Sequence, residues 1–178
     1  MRKALLFFIL SAPYLLSCQN PSAKFKSVII DSKDKFEFRD EGKAVKIFEE
    51  EAVSDTIRSG LVVNNDDLRH IWFTKTYFNS FNKDTLQIEI YSTDQAYSHR
   101  YVIKIFKDKC KVDYQYQMSG PEFERKVIPI EYLVKLNSLD FKKGKTIRGY
   151  TEFKGKCRGE GCSDSNIEIK GNFKILIE

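Results

Sequence analysis

"YVIKIFKDKCKVDYQYQM", residues 101–118, decides the fold. Tyr101, Ile103 and Ile105 fall on every second position. Cys110, Val112, Tyr114, Tyr116 and Met118 do so again, with Lys111, Asp113, Gln115 and Gln117 between them. A period of two belongs to a strand with one buried face. Asp108-Lys109 stands between the two rows at hairpin distance, so the stretch predicts two antiparallel strands joined by a tight turn.

The same alternation extends in both directions. Leu86, Ile88 and Ile90 form one row. Ile128, Ile130, Tyr132, Val134 and Leu136 form another, and Ile167, Ile169, Phe173, Ile175 and Ile177 a third. Turn signals part them: Asp40-Glu41-Gly42-Lys43, Asn64-Asn65-Asp66-Asp67, Ser119-Gly120-Pro121 and Lys142-Lys143-Gly144-Lys145. In "HIWFTKTYF", residues 70–78, rings occur on both faces, which predicts a central strand covered on each side. The alternative there is an aromatic binding platform. Fourteen Phe and nine Tyr among many β-branched residues also favour strands. The expected fold is all-β. An antiparallel sandwich is the first reading and a lipocalin-like barrel the alternative, with at most one short helix, over Glu49–Ile57.

The N-terminus reads differently. Met1-Arg2-Lys3 precedes an apolar run from Ala4 to Leu16, closed by the small residue Ser17. That is the pattern of a secretory signal peptide, and the run is shorter than the ~20 residues that span a bilayer. Leu15-Leu16-Ser17-Cys18 resembles the lipobox of bacterial lipoproteins. The resemblance implies cleavage before Cys18 and acylation of that cysteine. Gln19, where an Asp would imply inner-membrane retention, points to the outer membrane. The periplasmic face is the default, since no acidic export run follows. The chain then divides into a signal peptide (1–17), a lipidated cysteine with a short tether (18–25), and one β domain (26–178). "GKTIRGYTEFKGKC" (144–157) and "IEIKGNF" (167–173) resemble small, strand-rich envelope lipoproteins of unknown function, a likeness that transfers no functional residue.

Processing would leave 161 residues, enough for one domain, with two cations fewer than the +5 of the whole chain. Opposite charges are interspersed, as in Lys107-Asp108-Lys109, which marks a solvated surface. Secretion and this mixed charge argue against a nucleic-acid partner.

Few residues suggest chemistry. Cys157 and Cys162 flank "RGEG", where Gly159 and Gly161 let the chain double back, so a local disulfide stapling a hairpin is expected. A closed zinc site would need further ligands, and no histidine is near. Cys110 reads as a buried free thiol. His70 and His99 belong to no HExxH or triad pattern, and no phosphate-binding or serine-hydrolase motif occurs. The expectation leans away from an enzyme, with no catalytic residue, metal or cofactor assigned. It favours a membrane-anchored module for an envelope protein or glycan. A carrier of an apolar ligand and an enzyme assembled from distant strands are the alternatives. Near the C-terminus, Ile147–Gly155 and Ile167–Ile177 are expected to pair as a hairpin whose strands meet at the small residues Gly149, Gly155 and Gly171.

Overall fold

A computed structural model of the chain describes residues 25–39, 41–42, 45–48, 51–53, 58–64, 72–78, 84–93, 97–118, 126–159, 162 and 166–178. These residues hold twelve strands and no helix. In chain order they are β1 (Lys26–Ser27), β2 (Ile29–Ile30), β3 (Val45–Phe48), β4 (Glu51–Val53), β5 (Arg58–Val63), β6 (Trp72–Phe78), β7 (Thr85–Thr93), β8 (Tyr97–Phe106), β9 (Lys109–Met118), β10 (Lys126–Leu136), β11 (Thr146–Arg158) and β12 (Asn166–Leu176).

Ten strands make one mixed sheet in the order β1-β9-β8-β7-β6-β5-β12-β11-β10-β2, and β3 and β4 form a separate hairpin. Its two end strands, β1 and β2, are consecutive in the chain and separated by Val28 alone. β1 pairs antiparallel with β9, and β2 pairs parallel with β10. One short segment therefore lies along both edges, and the sheet is nearly closed into a barrel.

The all-β expectation holds, and the strands form a single curled sheet instead of two sheets face to face. Period-two alternation is common to both architectures, so the rows alone could not separate them. The helix expected over Glu49–Ile57 is corrected: Glu51–Val53 is strand β4, paired with β3. Pairing with the β-branched Val45–Phe48 run overrides a weak local helical preference.

The interior is packed in rows that cross the strands. Thr76, Ile88, Ile103 and Val112 are successive ladder partners, as are Thr74, Ile90, Tyr101 and Tyr114. Opposite them stand Tyr132, Val134, Ile147, Phe153, Ile169, Phe173 and Ile175, all in the same core. Tyr101 spans the interior. Its hydroxyl meets Thr151 Oγ1 at 2.6 Å, and Thr151 donates onward to the Leu133 carbonyl at 3.1 Å. The end of the barrel at the Lys107–Asp108 turn is covered by residues 137–145, where Leu139 and Phe141 pack on the core and Gly144 N donates to Ile177 O.

Three strands differ locally from their expected patterns. The β8–β9 turn falls on Lys107–Asp108, with Phe106 opposite Lys109, and Lys107 takes the left-handed conformation. On β10 the expected row is broken: the register slips between Pro129 and Glu131, so Val127 faces inward while Ile130 is 64% exposed. Pro129 cannot donate to a ladder, and a bulge is where an edge strand tolerates it. Trp72, Thr74 and Thr76 of β6 are buried, but Phe73, Lys75 and Tyr77 face outward and are partly or fully exposed, so that strand is dry on one face only.

The β11–β12 hairpin forms as expected, with Ile147 opposite Ile175 and Gly155 opposite Ile167. Its glycines do not face one another. Gly149 lies under the ring of its partner Phe173, whose Cζ would be 2.6 Å from any Cβ there. Gly171 meets the backbone of Gly60 and Leu61 on its other side, where a Cβ would stand 2.2 Å from the Gly60 carbonyl oxygen of β5.

Candidate functional site

Three places on the barrel gather chemistry. The first is the end opposite the Lys107–Asp108 turn, where Ser92, His99 and Tyr116 are ladder partners on adjacent strands. His99 Nδ1 lies 2.6 Å from Tyr114 Oη. Its ring centroid is 4.9 Å from Tyr116 and 5.7 Å, edge-on, from Trp72. Burial pushes the Tyr114 hydroxyl well above the ordinary tyrosine range. A phenol that stays neutral and is bonded to the imidazole fixes the orientation of the ring. Trp72 is 1% exposed, so it belongs to the core and forms no open platform.

The second place is the seam, where β9 and β10 meet. Lys26 is opposite Cys110, its ammonium 5.0 Å from the Tyr132 ring centroid and 3.4 Å from the Tyr132 carbonyl. Tyr132 in turn donates its hydroxyl to the Cys110 carbonyl at 3.2 Å. Cys110 is fully buried with a free thiol, which desolvation pushes up to about 11 although Lys26 acts the other way. A thiol so held is neutral near pH 7 and a poor nucleophile. Beside the seam, Lys26, Glu131, Glu152, Lys154, Glu168 and Lys170 border a groove of about 590 Å³ across β10–β12. Its cations and carboxylates balance, and Lys154 pairs with Glu168 at 3.4 Å.

The third place is the outer face of β11–β12, where Glu37, Phe38 and Glu41 lie. Glu41 accepts from Arg148 and lies 3.5 Å from Lys174 Nζ, with all three side chains largely buried. The Arg148 hydrogen bond, assisted by the charges of Arg148 and Lys174, holds the Glu41 carboxyl below its ordinary range despite burial. Phe38 lies against Gly60, where an added Cβ would stand 2.5 Å from that of Phe38.

Of the residues singled out in the sequence, Cys157 and Cys162 are brought together in disulfide pairing, with Cα atoms 5.5 Å apart, at the barrel end that holds His99. Cys110 is buried as expected. Cys18 and His70 lie outside the described residues. The seam contacts of Lys26 and Tyr132 and the Glu41 cluster were not foreseen. The short β-branched run Val28-Ile29-Ile30 is a sequence feature that favours a strand there. Compared with known proteins, the chain matches no family model, no curated protein and no solved structure.

Proposed function

We propose that the chain is a lipid-anchored envelope protein, held to the outer membrane through Cys18, whose β barrel is a non-enzymatic binding or structural module for a protein or glycan partner. The observation that carries the module reading is the packed barrel interior. Trp72, Tyr101, Phe153, Phe173, Ile88 and Ile103 fill it, each less than 2% exposed. Packing of this kind weighs against a carrier of an apolar ligand and leaves recognition to the outer face and the ends of the barrel. The anchor reading rests on Leu15–Cys18. From Cys18 the seven residues to Lys24 reach at most about 25 Å, so the barrel would work close to the bilayer.

Two experiments test this. Labelled palmitate should enter the wild-type protein and not Cys18→Ala; a wild-type protein without label removes the anchor. Cross-linking in intact membranes should then capture a discrete partner or glycan through the barrel surface. Extraction of a stoichiometric apolar ligand from purified protein would instead favour a carrier.

A further inference from the structure

The seam is built unlike the rest of the sheet. Among the described residues β9 and β10 share no ladder pairs, although they lie side by side. Both edges are blunted. Asp108 O accepts from Val28 N at 2.7 Å and Cys110 O accepts from Tyr132 Oη, so even-numbered backbone groups of β9 point into the seam. Tyr114 shares that parity, and its N–H is taken by the Asp113 carboxylate at 3.1 Å. On β10, Pro129 has no N–H to offer, and the bulge turns the strand beside it. What closes the gap is Lys26–Ile30. Two of its residues pair with β9 and two with β10, and of the five only Val28 is buried.

We infer that Lys26–Ile30 is a releasable clip: the barrel opens locally between β9 and β10 and uncovers Cys110 while the other strands stay paired. Elements with few buried contacts and short ladders open at lower free energy than the global transition. The clip has four ladder pairs, whereas β11 and β12 share eleven. Cys110 is the ladder partner of Lys26 on the strand beside the clip, and so reports on its opening.

The test is the rate at which Cys110 is alkylated in the folded mature protein under non-reducing conditions, read by peptide mass so that no other cysteine contributes. Val28→Ala should speed labelling about tenfold, because it removes the buried anchor of the clip. Leu61→Ala, on β5 across the barrel from the seam, should lower the thermal midpoint further and leave the labelling rate unchanged. If Val28→Ala does not fold, Lys26→Ala at an exposed position serves instead and should also accelerate labelling. Labelling rates that follow the thermal midpoints of all these variants would show that Cys110 is uncovered only by global unfolding, and would overturn the clip.

Discussion

Lys26 stands opposite Cys110, so the first strand of the barrel lies beside the residue that carries its buried free thiol. The contact joins residues 26–27 to residues 109–110, more than 80 positions away. Val28 sits in the core between the two edges that its neighbours cover. Lys26–Ile30 is thus a working part of the fold, held by only four ladder pairs.

The link from Tyr101 to Thr151 to the Leu133 carbonyl sets an order of costs. Thr151 donates to Leu133, so Tyr101 is the donor to Thr151. Tyr101→Phe removes one neutral hydrogen bond and should cost about 1 kcal/mol. Thr151→Val leaves both the Tyr101 hydroxyl and a carbonyl without this partner and should cost about 2–3 kcal/mol. Urea midpoints in the reverse order would contradict the relay.

Gly149 and Gly171 should not tolerate alanine. At Gly171 a methyl group would strike the Gly60 backbone, and the residue has φ of 153°. Overpacking of this kind costs about 1–3 kcal/mol. Gly144 has open space around it, and Gly144→Ala should cost only the left-handed strain, about 1–2 kcal/mol. Thermal melts of the three variants order the effects directly.

Phe173, Ile175 and Ile177 are each at most 1% exposed, and burying them contributes roughly 1.5–3 kcal/mol apiece against a total of about 5–15 kcal/mol. Truncation after Asn172 should abolish the cooperative transition. A truncated chain that melts near the wild-type midpoint would show that β12 ends earlier in function than in structure.

Reduction of Cys157–Cys162 opens a short loop at one end of the β11–β12 hairpin. The loss should be about 2 kcal/mol, seen as a lower midpoint in reducing agent and in Cys157→Ser. Outside residues 1–24, thiol counting on unfolded protein should find Cys110 alone. A blocked Cys110 would mean a different pairing.

The Glu41 cluster gives stability a pH dependence. The Arg148 hydrogen bond lowers the folded-state value below the ordinary 4.5, so this contribution is present above pH 4.5 and is lost as pH falls through the lowered value. Glu41→Gln should lower the urea midpoint at pH 7 and flatten its decline in acid. Parallel acid limbs for wild type and variant would place the acid-sensitive group elsewhere.

The sequence carries β7–β9 and β11–β12 almost in full, because alternation and turn residues fix both the strands and their facing sides. It does not carry closure. Whether β5 joins β12, or Lys26–Ile30 bridges two edges, depends on pairings between residues more than 80 positions apart that leave no periodic mark. The slip at Pro129 shows the same limit locally: Ile128 and Ile130 keep the rhythm of the row, yet a proline on an edge strand changes its phase. Cys110 and the Cys157–Cys162 pair were legible from spacing. The Glu41 cluster was not, since its three charges come from separate elements and look like ordinary surface residues.

The closed seam is tested most directly by cross-linking. Lys26→Cys places a second thiol opposite Cys110, on paired backbone of the kind a disulfide can span. Under mild oxidation, peptide mapping should find residue 26 bridged to Cys110 in a protein that remains folded. A free Cys110 in the oxidised protein, or a bridge from residue 26 to another cysteine, would contradict a barrel closed by its N-terminal segment.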